Sequence, residues 1–222
     1  MSGHAVTPPP GGGPTSPRYR AVLFDFDGTL THPGALDFAA LRRALDCPPG
    51  TLILEHIDAL PSEELRAEKH RILDDFETAA ARASMPNKGA EDTVRLLLRK
   101  GVRIGILTRN TRASVLTSLV NFPSLKETDF GVILTRESGG RPKPSPDGVF
   151  TAAAALGVAV GSLLVVGDFV FDIAAGAAAG AATALLTNGS PPPPPGTPTV
   201  PIIATPDFTI HRLSELAGIL GI

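Results

Sequence analysis

The sequence predicts an α/β protein: a parallel sheet with helices on both faces, plus a small all-helical segment inserted after the first strand. Three observations predict it. "YRAVLFDFD" near the N-terminus carries a nearly continuous apolar run, Val22, Leu23, Phe24 and Phe26, as a strand covered on both faces requires. Residues 37 to 85 carry helical periodicity and no strand signal. From residue 89 onward, strand-like and helix-like segments alternate, which places parallel strands with helices between them.

The elements follow in order. "MSGHAVTPPPGGGPTSPRYR" opens the chain, rich in Pro, Gly, Ser and Thr, without the apolar centre of a secretory signal. Residues 1–18 read as a disordered tail, because only Arg18 and Arg20 are basic in this opening stretch and no amphipathic pattern appears. After the first strand, "DFAALRRAL" puts Phe38, Leu41 and Leu45 on one helical face. "CPPG" at 47–50 ends that helix. "PSEELRAEKHRILDDFETAAARA" aligns Leu65, Ile72, Phe76 and Ala80, with Glu63 and Glu64 suited to the positive end of a helix dipole. "AEDTVRLLLRKG" is a helix with Gly101 as its cap. Next come strand "VRIGILT", helix "RASVLTSLVNF" and strand "GVILT" (131–135). "SPDGVFTAAAALG" is a helix started by Ser145 and Pro146 and stopped at Gly157. Strand "SLLVVGD", a tightly packed helix "IAAGAAAG", strand "ATALLT", a short strand "DFTI" and a helix at "LSELAGIL" complete the chain. The whole reads as a Rossmann-like core at 19–34 and 86–222, interrupted by a helical segment at 35–85. An insertion after the first strand lies near that strand's C-terminal end, the edge where such sheets bind ligands.

Composition narrows the function classes. The 222 residues are enough for one large α/β domain or one domain with an insertion, and 43% hydrophobic content supplies a core. The 20 Lys and Arg nearly balance the 22 Asp and Glu, and no basic tract breaks that balance, so no nucleic-acid partner is expected. The apolar stretch 151–167 is short for a membrane span and divided by Gly157 and Gly161, so no membrane partner is expected either. The single cysteine, Cys47, cannot form an intrachain disulfide and reads as a bystander. A reducing, cytoplasmic location is expected, with organelle targeting left open. "GSPPPPPGTPTV" (189–200) reads as a rigid spacer loop, its Pro run 191–195 being the alternative, a polyproline ligand.

Chemistry collects at the strand ends. Asp25 and Asp27 end the first strand, Thr108 and Asn110 the second, Lys143 follows the third, and Asp168 and Asp172 follow the fourth. Each residue alone has an ordinary reading as a turn, cap or loop residue. Coincidence at four successive strand ends is much less plausible. Crowded carboxylates repel unless a cation or protons neutralise them. Oxygen-only ligands favour a hard ion such as Mg²⁺. A lysine and a threonine hydroxyl beside such a site suit a phosphoryl group. Asp25 could act as a nucleophile, and Asp27, two residues on and on the same side, as an acid and then a base. Phe26 between them points into the core.

The motifs "FDFDGTL", "ILTRN", "RPKPSPD" and "GDFVFDIAAGAAAG" resemble, in order and spacing, the haloacid dehalogenase-like superfamily, within its phosphoglycolate phosphatase-like group. The resemblance covers roughly residues 20–190. It implies that Asp25 is the phosphorylated nucleophile and Asp27 the general acid/base. It implies that Thr108, with the backbone N–H groups after it at Arg109 and Asn110, holds phosphoryl oxygens, and that Gly28 belongs to the substrate-contacting set. Lys143 would neutralise the nucleophile and the transferring group. Asp168, Asp25 and the Asp27 carbonyl would bind Mg²⁺, supported by Asp172. The helical segment 35–85 would be a cap that selects substrates, with Gly28 and Thr29 coupling its movement to the site.

The expected function is a Mg²⁺-dependent phosphomonoester hydrolase of a small phosphorylated metabolite, working through an aspartyl-phosphate as a monomer or homodimer. A phosphomutase or phosphotransferase with the same intermediate is the runner-up, and a non-catalytic binding protein on the same fold the third reading. The resemblance implies that dehalogenases keep the first Asp but not the second, so the presence of Asp27 disfavours dehalogenase and phosphonate-cleaving chemistry. Thr31, His32 and Pro33 stand where many relatives carry an acid and a serine, and the cap is small; both weigh against phosphoglycolate itself. His32 reads as a loop histidine. Arg66, Lys69, His70 and Arg71 read mostly as a solvated helix face.

Overall fold

A computed structural model describes residues 17–190 and 204–222. The proline run 191–195 and residues 1–16 of the tail lie outside these. The sheet has six strands in the order β3-β2-β1-β4-β5-β6. They are β1 (Ala21–Phe24), β2 (Arg103–Leu107), β3 (Val132–Leu134), β4 (Leu163–Gly167), β5 (Ala182–Leu186) and β6 (Phe208–Ile210). Every pairing is parallel, as the alternation predicts.

Side chains divide between the faces with a period of two. Val22 and Phe24 of β1 pair with Ile104 and Ile106 of β2 and with Leu164 and Val166 of β4, and all six enter one core cluster. Ala21 and Leu23, with Leu163 and Val165, enter the cluster on the opposite face. Helix α7 (Val170–Ala179) packs close against the sheet: a Cβ at Gly176 would lie 2.6 Å from Thr183 and 3.1 Å from Val165. This explains the small-residue run "IAAGAAAG".

Between β1 and helix α4 (Ala90–Arg99) stands the helical block: α1 (Phe38–Ala44), α2 (Ile53–Asp58) and α3 (Glu63–Ala83). It has its own core of Leu41, Leu45, Cys47, Ile57 and Leu73, distinct from both sheet clusters. Asp37 caps α1 by accepting from the Ala40 N–H, and Ser62 caps α3 by accepting from the Leu65 N–H. The block leaves and returns through adjacent backbone. Thr31 and Pro86 form an antiparallel bridge, His32 N donates to Met85 O and Asn87 N to Leu30 O, both at 2.8 Å.

Three details differ from the periodicity reading. The buried residues of α3 are Leu73, Glu77 and Ala81, one position on from the face through Ile72, Phe76 and Ala80, which is only half-buried apart from its exposed start at Leu65. Helix α3 lies between the rest of the block and α5 (Arg112–Leu119), so its buried line follows two neighbours rather than one stripe. Phe38, in the first turn of α1, is exposed, while Leu41 and Leu45 are fully buried. Helix α2 is a separate element the periodicity did not single out.

Candidate active site

The sheet order reverses between β1 and β4: β2 and β3 lie to one side of β1, β4 to β6 to the other. Chains leaving neighbouring strands there diverge and open a crevice. Asp25 follows β1 directly, its N–H donating to Val166 O at 2.8 Å, and Asp168 follows β4.

Lys143 is buried at the centre of this edge. Its Nζ donates to Asp25 Oδ1 at 2.6 Å, to Asp172 Oδ1 at 2.6 Å and to the carbonyl of Leu107 at 2.8 Å, so all three donors are used. Burial works against its charge, but Asp172 and Asp25 outweigh that and hold the lysine protonated, well above its ordinary pKa.

Oxygens of Asp25, Asp168 and Asp172 lie within 4.8 Å of one another. Three carboxylates against one lysine leave negative charge uncompensated. Burial, then the charges of Asp25 and Asp172, push Asp168 up to about 8 against an opposing hydrogen bond from Thr29 Oγ1 at 3.2 Å. Burial likewise pushes Asp172 up to about 6, with Lys143 opposing and Asp25 adding. A half-buried, oxygen-only donor set with negative charge in excess fits a hard divalent cation, Mg²⁺ in particular. The other oxygen of Asp172 accepts from the Phe169 N–H at 3.1 Å, which fixes that carboxylate at the start of α7.

Two glycines make room for these acids. Gly28 has φ +75°, and a Cβ there would lie 2.2 Å from Asp168 Oδ2. A Cβ at Gly167 would lie 2.2 Å from the Asp172 carboxyl.

Asp27 accepts none of the three hydrogen bonds from Lys143. Asn110 Nδ2 donates to its Oδ2 at 2.8 Å, and the Asn110 N–H donates to Thr108 Oγ1 at 3.1 Å. Asp27 keeps solvent-accessible surface, yet desolvation in the crevice and the Asp25 charge push it up to about 6, with Asn110 and Lys143 opposing. That value suits a group that must both give and take a proton near neutrality.

Arg109 reaches away from the carboxylate cluster. Its guanidinium donates to both oxygens of Glu55 on α2 at 2.7 and 2.8 Å and to Lys143 O at 3.2 Å, with its Cζ 5.4 Å from the Phe171 ring centre. A cavity of about 430 Å³ opens beside Thr108 and Lys143 and is also lined by α2 and α3 through Glu55, Asp58 and His70.

The structure therefore brings together Asp25, Lys143, Asp168 and Asp172, with Gly28 against Asp168 and the pair Asp27–Asn110 beside Thr108. His32 is an exposed loop residue, its Nδ1 2.8 Å from Pro33 O. Arg66 and Lys69 serve the helical block, donating to Leu60 O and to Asp46. Cys47 is buried beside Arg42.

Sequence reasoning missed four contributors. Asn87 and Asn188 donate to backbone carbonyls at Gly28 and Thr29, Asn188 to Gly28 O and Asn87 to Thr29 O, each at 2.8 Å. Glu55 and Arg136 connect the helical block to the core. Only Asn188 carries a local signal, a turn-type Asn-Gly pair with φ +53°.

The family model of haloacid dehalogenase-like hydrolases matches residues 19–180, from before β1 to the end of α7. The chain belongs to this family. It is 36% identical to the uncharacterized hydrolase YOR131C of Saccharomyces cerevisiae over 159 residues, covering 71% of this chain and 72% of that one. It is 28% identical to the validoxylamine A 7'-phosphate phosphatase of Streptomyces hygroscopicus subsp. limoneus, covering 68% of this chain and 77% of that protein. In fold it is similar to a solved predicted phosphoglycolate phosphatase from Haemophilus somnus, with TM-score 0.70 and 20% identity over 93% of this chain and 99% of that one. No helix among the described residues is long and apolar enough to cross a membrane.

Proposed function

We propose that this haloacid dehalogenase-like protein is a Mg²⁺-dependent phosphomonoester hydrolase of a small phosphorylated metabolite. The observation that carries the reading is the buried Lys143 held 2.6 Å from Asp25, with the Asp168 carboxyl in the same oxygen cluster. Asp25 is the nucleophile. Its oxygen attacks phosphorus while the ester bond to the alcohol breaks, leaving an aspartyl-phosphate. Asp27 gives its proton to the departing alcohol oxygen and then takes one from the water that attacks the acyl-phosphate, so phosphate leaves and Asp25 is restored. Lys143 offsets charge on Asp25 and on the transferring group. Thr108 and the backbone N–H groups of Arg109 and Asn110 bind phosphoryl oxygens, and Asn110 orients Asp27. Asp25, Asp168 and the Asp27 carbonyl hold Mg²⁺, with Asp172 in support. The ion supplies Lewis-acid stabilisation of phosphoryl charge.

We assign residues 35–85 as the cap over a catalytic core of 19–34 and 86–222. The chain's similarity to a protein named as a validoxylamine A 7'-phosphate phosphatase supports hydrolysis of a small phosphorylated compound.

The test is phosphate release from a panel of phosphorylated metabolites with Mg²⁺ and with chelator. The expected result is metal-dependent release, lost in Asp25→Asn and lowered about 10²–10⁴-fold in Asp27→Asn. Undiminished metal-dependent release by Asp25→Asn overturns the assignment of the nucleophile. Phosphoryl transfer to an added alcohol with no net phosphate points to a phosphotransferase instead.

A further inference from the structure

We propose that Asn87 and Asn188 are positioning residues for the metal site: together they hold the Gly28–Thr29 backbone against Asp168, and so set how tightly and how selectively that site takes Mg²⁺. This rests on the metal site assigned above and names what shapes it.

The stretch they hold satisfies its own N–H groups but not its carbonyls. Phe26 O accepts from the N–H groups of Thr29, Leu30 and Thr31 and from the Thr31 hydroxyl, and the Gly28 N–H donates to Thr31 Oγ1 at 3.3 Å. Among the described residues, no backbone N–H donates to Gly28 O or Thr29 O. Both residues are buried, so these carbonyls need donors from elsewhere in the chain.

Two asparagines supply them. Asn188 Nδ2 donates to Gly28 O and Asn87 Nδ2 to Thr29 O, each at 2.8 Å, with Gly28 O a longer second acceptor for Asn87 at 3.4 Å. Asn87 Nδ2 also donates to Asn188 Oδ1 at 2.9 Å, and Asn87 Oδ1 accepts from the Lys88 N–H at 2.8 Å. Every polar side-chain atom of the pair therefore has a partner. Turning either amide over would set donor against donor or oxygen against oxygen, so the network fixes both orientations. Asn87 lies just past Pro86, where the chain returns from the helical block, and Asn188 lies past β5 at φ +53°. The pair thus ties the Gly28–Thr29 stretch to the core at the point where the block joins it.

What they hold touches the metal ligands. Thr29 Oγ1 donates to Asp168 Oδ1 at 3.2 Å, and a Cβ at Gly28 would lie 2.2 Å from Asp168 Oδ2. The Asp27 carbonyl is joined to Gly28 by its own peptide bond. A shift of this stretch therefore moves the hydroxyl that orients Asp168 together with another assigned oxygen ligand. Mg²⁺ demands near-ideal octahedral geometry, whereas Ca²⁺ tolerates a flexible site, so loosening costs Mg²⁺ more.

The test is calorimetric titration of Mg²⁺ and of Ca²⁺ into wild type, Asn188→Gly, Asn87→Ala and Asn121→Ala, with Asp168→Asn showing that the bound ion is at this site. Glycine removes the Asn188 amide and accepts the positive φ without strain. Asn121 is the matched control, because its amide also donates to backbone carbonyls, those of Ala81, Arg82 and Ser84, but at the end of α3 in the block. Asn188→Gly is expected to raise the Mg²⁺ Kd about 10–100-fold and the Ca²⁺ Kd less, so that the preference for Mg²⁺ falls. Asn87→Ala should act in the same direction, and Asn121→Ala should leave both constants unchanged. A Mg²⁺ Kd for Asn188→Gly within about twofold of wild type overturns the proposal, since an outer partner of a metal ligand is worth more than that. Equal losses in Asn121→Ala, or equal losses of Mg²⁺ and Ca²⁺, reduce the pair to general bracing of the fold and overturn it as well. If Asn87→Ala fails to fold, Asn188→Gly alone decides. No Mg²⁺ binding in wild type, or binding that survives Asp168→Asn, defeats the metal-site reading itself and the proposal with it.

Discussion

Lys143 is the residue on which the charge of the site turns. It is buried, and its Nζ holds both Asp25 and Asp172 at 2.6 Å. Replacing it by methionine keeps the volume and strands two carboxylates in a poorly solvated place. Lys143→Met is expected to lose about 3–5 kcal/mol of stability in metal-free urea unfolding, the scale for breaking a buried ion pair from one side. A loss under 1 kcal/mol would mean that the acids are neutralised without it. Asp25, Asp27, Thr108, Lys143 and Asp168 were legible in the sequence because each follows a strand whose apolar run announces where it ends. Glu77 was not legible. It occurs within "DDFETAA", where it reads as one more acid on a charged helix, and only burial against Arg136 distinguishes it.

Among the elements, the strands were read more accurately than the helical block. Residues of β1 and β4 must be apolar on both faces, so their run is continuous and their boundaries follow from where it stops. Helix α3 meets the block on one side and α5 on the other, so a single stripe misplaced its buried line by one residue. The block's separate core makes a further expectation specific. Leu41 is fully buried among Leu45, Ile57 and Leu73, and shares no cluster with the sheet. Leu41→Ala is expected to cost about 2–5 kcal/mol within the block. Hydrogen exchange should then accelerate in α1 to α3 while amides of β1, β2 and β4 keep their protection. Equal acceleration in the sheet would show that block and core unfold as one unit. Two guanidinium contacts join the block to the core, Arg109 to Glu55 and Arg136 to Asp74 and Glu77. Both core arginines stand just past strand ends, so block contact and phosphoryl-binding loops are mechanically adjacent.

At the scale of the whole molecule, the carboxylate cluster links metal binding to folding. The unfolded chain has no preformed site, so a cation bound only by the native state stabilises it by mass action. Mg²⁺ at a hundredfold excess over its Kd is expected to add about 2.7 kcal/mol. For a chain of this size that raises Tm by roughly 5–10 °C. Asp168→Asn should abolish the increment while leaving the metal-free protein no less stable, because burial and its acidic neighbours already disfavour the charged form of Asp168. A Tm unmoved by Mg²⁺ in the wild type would argue that these acids are neutralised by protons instead.

The chain's own pattern determined the parallel sheet, the helical insertion after β1 and the identity of the polar groups at the strand ends. Those features depend on local periodicity and on where apolar runs break, and both are written in consecutive residues. Tertiary structure alone decided which polar groups meet. It brought Lys143 to Asp172 and Asp25 and joined Arg109 to Glu55. It set Asn87 and Asn188 against the backbone of Gly28 and Thr29, and left one oxygen of Glu77 without a donor. These partners are 29 to 160 positions apart in the chain. Their pairing depends on strand order and on how the block docks, which no local window of sequence contains.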